Sequence, residues 1–232
     1  MRARRHTIRR PWRLPGLTTQ NGVLGVLFGW LLWAPIAAQA QQAQAQGESS
    51  APRYHVELIV FETLALKGWQ EEYWPKRSAS DIVPQWQQLP AMPQPVSPKV
   101  HRLASQASKM TRKKGYNKLF HQAWILEGHP DANQPGFRIE VLPNNAYQSR
   151  LFGHIDFYKS RFAHIKLNLG LQRRIPGRVR EAFAQQQDLD PELMDKYWFF
   201  QLKESRKIKS GELHYFDHPI FGALVQIQYL KN

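Results

Sequence analysis

The chain has 232 residues, of which 42% are hydrophobic, so it has enough apolar side chains for the core of one domain. Its 32 Lys and Arg side chains outnumber its 18 Asp and Glu side chains, which gives a formal net charge of +14. Because the chain has no cysteine, we exclude disulfide bonds and cysteine-dependent catalysis, and we expect no lipid anchor of the kind attached to a cysteine.

The first forty residues have the pattern of a secretory signal peptide. Six arginines precede an apolar run over residues 23–33 that is too short to cross a bilayer, and residues 38–40 provide a small-x-small cleavage signal. We therefore predict a cleaved signal peptide over residues 1–40 and a periplasmic mature protein without a membrane anchor. An uncleaved N-terminal anchor is the alternative.

The net charge of the mature chain indicates which partners it could bind. Removing six of the 32 basic side chains and none of the 18 acidic ones leaves a formal charge of +8. An exported protein meets little nucleic acid, so we expect no nucleic-acid partner. The carboxylates of peptidoglycan and other anionic envelope polymers fit this positive field better.

The amino-acid composition changes between residues 41–52 and the rest of the mature chain. Residues 41–52 are rich in Gln, Ala and Ser, and we expect a disordered tether to a single domain over residues 53–232. In the domain, alternating apolar residues predict a first strand over 54–62, central in its sheet because both faces become apolar. The Pro- and Trp-rich residues 63–98 predict a long loop, whose tryptophans either pin it to the core or stack on sugar rings.

A helix and further strands follow this loop. Pro98, an apolar stripe at helical spacing and Gly115 predict a helix from Pro98 to about Lys114. Strands are predicted over 119–126 and 137–141. With the later segments, this order predicts an α+β domain: a mainly antiparallel sheet of about six strands, one main helix packed on one face, and the long loop.

The stretch from Arg150 to about Arg173 is predicted to form a β-hairpin with one apolar face. We expect a three-residue loop at residues 159–161, which would pair Phe157 with Ala163 and keep the apolar side chains together. A row of polar side chains, here called the hairpin row, is left on the other face: His154, Asp156, His164, Lys166 and Asn168. In this register Asp156 would lie opposite His164, and His154 opposite Lys166.

The end of the chain is predicted to contain a short helix around 179–187, a strand over 197–202 and a closing strand over 221–228. His214, Asp217 and His218 precede the closing strand and have the ligand atoms that zinc requires. Three other histidines could complete such a site: His121, His154 and His164. The spacing of His214, Asp217 and His218 matches no helical zinc signature, which argues against a metal site. A zinc-dependent cell-wall hydrolase that uses these three residues is therefore kept only as an alternative interpretation.

The motifs of the common enzyme classes are missing. The sequence has no Gly-x-Ser-x-Gly elbow, no phosphate-binding glycine loop and no distinguishable carboxylate pair for glycoside hydrolysis. We therefore predict a binding protein that is not an enzyme and that needs no cofactor or metal.

Four segments resemble the landmarks of one family: residues 56–62, 121–124, 161–165 and 210–227. The last of these, Ser-Gly-Glu-Leu-His-Tyr-Phe-Asp-His-Pro-Ile-Phe-Gly-Ala-Leu-Val-Gln-Ile, is the most specific. Together they resemble the CsiV family of periplasmic peptidoglycan-binding proteins from gammaproteobacteria. The likeness extends over nearly all of the mature chain, except the Pro-rich loop and residues 173–195.

The resemblance implies a non-enzymatic periplasmic protein that binds peptidoglycan and supports cell-wall synthesis and cell shape. It further implies two partners, a class A penicillin-binding protein and its outer-membrane lipoprotein activator. We predict the hairpin row as the peptidoglycan contact, with His214, Asp217 and His218 as a second contact. Basic side chains would meet carboxylates, and aromatic or polar ones the glycan. A purely protein–protein adaptor of the envelope is the second alternative.

Overall fold

The computed structural model describes residues 51–231, which form two four-stranded antiparallel sheets. The predicted signal peptide over 1–40 and all but the last two residues of the predicted tether lie outside the described residues. In the part of the chain that is described, no helix is long and apolar enough to cross a membrane.

The secondary structure is dominated by strands. The eight strands are β1 (Arg53–Thr63), β2 (Tyr116–Glu127), β3 (Phe137–Val141), β4 (Arg150–Lys159), β5 (Ala163–Arg174), β6 (Tyr197–Ile208), β7 (Leu213–Phe216) and β8 (Phe221–Leu230). The α-helices are α1 (Lys67–Gln70), α2 (Ala79–Ile82), α3 (Ala104–Lys109) and α4 (Arg180–Gln186). Short 3-10 turns lie at Trp86–Gln88, Pro98–Val100, Arg112–Lys114 and Gly177–Val179. Each predicted strand is present, and α4 confirms the predicted short helix.

The strands divide into a first sheet with the order β2-β1-β8-β7 and a second sheet with the order β3-β4-β5-β6. β1 pairs with both β2 and β8, which confirms its predicted central place. The prediction of one sheet of about six strands is wrong. Antiparallel strands with one buried face alternate in the same way in either sheet, so alternation cannot assign a strand to a sheet.

The two sheets share one buried core. Apolar side chains of β1 and β5 that are at most 1% exposed belong to it, namely Val56, Leu58, Val60, Ile165, Leu167 and Leu169. A two-sheet sandwich therefore replaces the predicted arrangement of a sheet with one covering helix, and the domain is mainly β rather than α+β.

The predicted helix from Pro98 to Lys114 is wrong, because the segment contains only α3 and two 3-10 turns. The backbone N–H groups of Arg102 and Leu103 donate to the Glu57 carboxylate, at 2.6 and 3.0 Å. These groups fix an extended entry to α3 instead of a helix that begins at Pro98. The predicted apolar stripe does pack on a sheet, since Leu103 and Ala107 are buried against the outer face of the first sheet.

The long loop over residues 63–98 is fixed to the sandwich by its tryptophans. Trp69 is fully buried in the core, and Trp86 is 1% exposed and contacts Phe152 on the outer face of the second sheet. Beyond them the Val96 N–H donates to the Ala123 carbonyl of β2 at 2.8 Å. Trp69 and Trp86 therefore pin the loop to the core, as one of the two predicted alternatives has it.

The hairpin of β4 and β5 has the predicted apolar face, but the predicted register is wrong by two residues. Phe157 lies opposite Ile165 rather than Ala163, and the three-residue loop is 160–162. The facing pairs on the outer side are Asp156 with Lys166, His154 with Asn168, and Tyr158 with His164. A shift of two residues preserves the alternation, so the apolar pattern cannot distinguish the two registers.

Candidate functional site

All five residues of the hairpin row lie half-buried on the outer face of the second sheet. β6 lies beside β5 and adds the exposed side chains Lys203, Ser205 and Lys207 to the same face. These three residues were not predicted, because the predicted strand ended at residue 202. The missed signal is the continued alternation of Lys203, Ser205 and Lys207 towards Ile208.

Aromatic rings and amines alternate on this face. The Tyr158 and His164 rings are stacked with centroids 4.7 Å apart and an interplanar angle of 4°. The Lys166 Nζ lies 5.0 Å from the Tyr158 ring centroid, and the Lys207 Nζ lies 3.6 Å from that of Phe162. We call Tyr158, Phe162, His164, Lys166, Lys203 and Lys207 the basic-aromatic surface. Its flat rings suit sugar faces, and its amines suit carboxylates.

The positive charges of this surface affect the pKa of His164. Burial lowers the pKa of the His164 imidazole, and the positive charges of Lys207 and Lys166 lower it further. A histidine in this setting is neutral at neutral pH, so its ring acts as a flat aromatic group rather than as a cation.

Two members of the hairpin row have largely buried side chains. The His154 and Asp156 side chains are 20% and 18% exposed, and the His154 Nε2 lies 3.7 Å from the Asp156 Oδ1. Burial lowers the pKa of His154 and raises the pKa of Asp156. The loop before β3 covers the Asp156 carboxyl so closely that a Cβ at Gly136 would lie 1.6 Å from its Oδ1. This loop therefore limits access to the Asp156 carboxyl.

Asn168 and Lys166 connect the face to the loops around it. The Asn168 Oδ1 accepts a hydrogen bond from the Gln201 Nε2 at 2.8 Å, and the same Nε2 donates to the Ile82 carbonyl. The Lys166 Nζ donates to the Ala132 carbonyl at 2.7 Å. These bonds hold the edges of the face in place, so its outline is formed before any ligand binds.

The structure does not bring His214, Asp217 and His218 together. The His214 Nε2 lies 3.9 Å from Glu212, and Asp217 accepts a hydrogen bond from the Tyr215 hydroxyl at 2.5 Å. Over residues 51–231 the ligand atoms of these three residues form no group that could hold a metal ion. The zinc-hydrolase alternative therefore has no geometric support at this turn.

His218 is instead part of an aromatic cluster. Its ring stacks on Trp74 with centroids 4.9 Å apart, and it also contacts Phe200 and Phe221. Its Nδ1 accepts a hydrogen bond from the Ile220 N–H at 3.1 Å. Burial lowers the pKa of His218 to about 4, although the charge of Asp217 acts in the opposite direction.

The depressed pKa of His218 predicts an acid-sensitive contribution to stability. Between pH 6.5 and about 4 the unfolded chain binds a proton at this residue while the folded chain does not, so the free energy of unfolding falls as the pH falls. A His218→Phe variant should lose less stability than the wild type over this range in urea unfolding. His129→Gln, at an exposed histidine, should behave like the wild type. Equal pH dependence of the His218→Phe variant and the wild type would contradict the assignment.

A second cluster of ionisable groups lies on the outer face of the first sheet. Glu57 is fully buried, and its Oε1 lies 2.7 Å from the His121 Nε2 and 4.0 Å from the His101 Nδ1. In residues 51–231 these three form the one group whose ligand atoms all lie within 4.8 Å of one another. The sequence-based prediction named His121 but neither Glu57 nor His101. The available signal was the alternation of His55 and Glu57 in an otherwise apolar strand.

An arginine-lined cleft of about 370 Å³ lies where the 3-10 turn Arg112–Lys114 meets the end of β5. Arg112 and Arg174 line it, with the Arg174 guanidinium 4.9 Å from the ring centroid of the exposed Tyr147. Its lining residues extend from Glu62 to Gly177 in the sequence, so no local motif could have revealed it. The cleft is a second place where carboxylates could bind.

Comparisons with known proteins give one family. A family model described as "Peptidoglycan-binding protein, CsiV" matches residues 26–230, nearly the whole chain. No curated protein matches. A solved structure, the cryo-EM structure of the ETEC pilotin–secretin complex AspS–GspD, is similar with a TM-score of 0.27 and 12% identity. The match covers 86% of this chain and 54% of the other, and a likeness this low supports no conclusion about fold or function.

Proposed function

The chain belongs to the CsiV family of peptidoglycan-binding proteins, and from that premise we propose that it binds peptidoglycan through the basic-aromatic surface. It acts as a non-enzymatic periplasmic factor, exported by the signal peptide predicted over residues 1–40. Through this binding it supports or regulates wall synthesis by a class A penicillin-binding protein and its lipoprotein activator.

One observation carries the placement of the binding surface, namely the direct contact of amines with aromatic rings on an exposed sheet face. Lys166 and Lys207 lie over Tyr158 and Phe162. Peptidoglycan combines sugar rings with peptide carboxylates at a short separation, so a ligand of this kind needs flat apolar groups and cations side by side. A sheet face offers them at fixed spacing, because alternate side chains of adjacent strands lie next to one another.

The five residues of the hairpin row have different roles in this proposal. His164 and Lys166 belong to the contact itself, whereas His154 and Asp156, which are largely buried, and Asn168, which is hydrogen-bonded to Gln201, support it. His214, Asp217 and His218 support the C-terminal turn and are not needed for the contact. Burial disfavours the charged forms of His154 and Asp156, because it lowers the pKa of the imidazole and raises the pKa of the carboxyl.

Reversing the charge of two exposed lysines tests the surface. The variant Lys203→Glu/Lys207→Glu should bind purified peptidoglycan sacculi at least about tenfold more weakly, because charged hydrogen bonds contribute about 1.5–3 kcal/mol each. Sedimentation of the full chain with sacculi at several salt concentrations measures this. Lys109→Glu/Lys118→Glu changes the net charge equally at exposed positions around the first sheet and should bind like the wild type.

The salt series separates shape recognition from charge attraction. Charge attraction between exposed groups is screened by salt, so binding that persists at high salt depends on stacking. Phe162→Ala should abolish this salt-resistant part, since Phe162 is 40% exposed and is not a core residue. Equal losses in both charge-reversal variants, with no salt-resistant binding, would favour a protein–protein adaptor. If only the control variant Lys109→Glu/Lys118→Glu lost peptidoglycan binding, the binding site would instead lie near the arginine-lined cleft.

A further inference from the structure

Three buried imidazole nitrogens around Glu57 have no hydrogen-bond partner among residues 51–231. They are the Nδ1 and Nε2 of His55, which is 5% exposed, and the Nε2 of His101. Burying a polar group without a partner costs free energy, and such groups in native proteins are normally paired with protein atoms, water or an ion. Three of them beside one buried carboxylate therefore indicate a site that binds a further ligand.

The positions of the side chains indicate what that ligand is. The ligand atoms of Glu57, His101 and His121 all lie within 4.8 Å of one another, and the two imidazole centroids are 4.5 Å apart. Atoms bound to one zinc ion lie within about 4 Å of each other, because each bond is about 2 Å long. Modest side-chain rotations would bring the three atoms into this range. We propose that Glu57, His101 and His121 bind a divalent transition-metal ion of the zinc type.

The residues around the cluster support this assignment. The Arg102 and Leu103 N–H groups donate to the Glu57 carboxylate, and donors of this kind fix the orientation of a metal-binding carboxylate. His55 lies two residues before Glu57 on the same face of β1 and interacts electrostatically with both Glu57 and His101. His55 lies outside the group of ligand atoms within 4.8 Å of one another, so its ring would have to move to supply a fourth ligand. Two or three imidazoles with one carboxylate suit zinc better than magnesium or calcium, which prefer oxygen ligands.

Burial makes this a structural site rather than a catalytic one. The Glu57 side chain is fully buried, and those of His101 and His121 are 7% and 13% exposed. A catalytic zinc ion keeps a position open to water, whereas a structural one is closed by four protein ligands. The ion would tie the segment around α3 to β1 and β2. It is therefore unrelated to the hydrolase alternative at His214, Asp217 and His218, and it is independent of the proposed peptidoglycan binding.

The hydrogen bond between Glu57 and His121 explains only part of the cluster. It pairs one carboxylate oxygen with one imidazole nitrogen at 2.7 Å. It gives no partner to the His101 Nε2 or to either nitrogen of His55. A metal ion gives His101 and His55 a bond each and uses the acceptor capacity that remains on Glu57.

Titration of the untagged full chain with zinc tests the inference. After treatment with EDTA and its removal, calorimetry should show one tight zinc site per chain, and zinc should raise the melting temperature. Cobalt(II) in place of zinc should give the strong visible absorption of a tetrahedral site. His101→Ala and His121→Ala should weaken zinc binding by at least about 100-fold, since loss of even an outer-shell partner costs about 10–100-fold.

A matched control separates this site from general histidine binding. His214 is half-buried and its Nε2 also has no partner in the described part of the chain, but it lies outside the cluster. His214→Ala should bind zinc like the wild type. Circular dichroism in EDTA establishes that each variant is folded, and Glu57→Gln, which keeps the side-chain shape, replaces any variant that is not. Failure of the folded wild type to bind one equivalent, or undiminished binding by the folded ligand variants, would overturn the proposal.

Discussion

Replacing Glu57 with leucine should lower the free energy of unfolding by about 3–5 kcal/mol in EDTA, where no metal ion contributes. The carboxylate is fully buried and accepts hydrogen bonds from the Arg102 and Leu103 N–H groups, with the His121 Nε2 2.7 Å from its Oε1. Leucine fills a similar volume but accepts none of them. Each buried donor left without a partner costs about 1–3 kcal/mol, and two of the three are backbone groups that cannot move away independently.

The same substitution should release the segment around α3. Glu57 is its anchor to β1, so amide hydrogen exchange should accelerate at residues 102–110 more than in the sheets. Glu57→Gln retains one acceptor oxygen and should cost less. Glu212→Leu, at an exposed glutamate, should change stability by no more than about 0.5 kcal/mol. A Glu57→Leu variant as stable as the wild type would mean that the freed N–H groups find other partners.

Glu57 also explains why the sequence misleads at the segment from Pro98 to Lys114. Proline, the apolar stripe and glycine are local signals, and they correctly identify the residues that face the sheet, such as Leu103 and Ala107. A carboxylate more than forty positions earlier in the chain captures the N–H groups of Arg102 and Leu103. The helix is interrupted by a tertiary contact, which no local pattern contains.

The strands were predictable because each has a buried face with a two-residue period. β1, the hairpin and β8 follow directly from this alternation. Alternation leaves two quantities undetermined, which are the sheet that a strand joins and any register shift by an even number of residues. Both errors occur here, as one sheet instead of two and as Phe157 opposite Ala163 instead of Ile165.

The candidate sites also differ in how far the sequence could predict them. The hairpin row was predictable because its residues lie on two adjacent strands joined by three residues, and the structure places them on one face. The cluster of Glu57, His101 and His121 and the arginine-lined cleft are assembled from distant segments. Composition could indicate that basic and histidine side chains are abundant, but only the fold determines which of them meet.

Replacing Arg173 with methionine should lower the free energy of unfolding by about 3–5 kcal/mol, because it leaves a buried charge without its partner. The Arg173 Nε lies 3.3 Å from the Glu62 Oε2, and both side chains are at most 10% exposed. Arg173 belongs to β5 in the second sheet and Glu62 to β1 in the first, so the pair joins the two sheets. Burial lowers the pKa of Arg173, and the charge of Glu62 raises it, as expected for a pair that is stable only together.

Further contacts of the pair explain why neither charge can be removed alone. The Arg173 Nη1 donates to the Thr63 carbonyl at 2.7 Å, and its guanidinium lies 5.5 Å from the Trp69 ring centroid. Glu62 accepts hydrogen bonds from the Asn117 Nδ2 and the Ser149 hydroxyl. Without Arg173 the carboxylate keeps these two neutral donors but loses the cation that offsets its desolvation. Removing both charges together eliminates that desolvation cost.

A double-mutant cycle of Arg173→Met with Glu62→Gln should therefore be strongly non-additive. We expect the double variant to be more stable than the sum of the single effects by about 2–3 kcal/mol, measured by urea unfolding. The exposed pair of Lys67 and Glu71, 3.5 Å apart, provides the matched cycle and should couple by no more than about 0.5 kcal/mol. Additive effects at Arg173 and Glu62 would mean that water reaches the pair. The junction between the two sheets would then depend on apolar contacts such as those of Trp69 rather than on this ion pair.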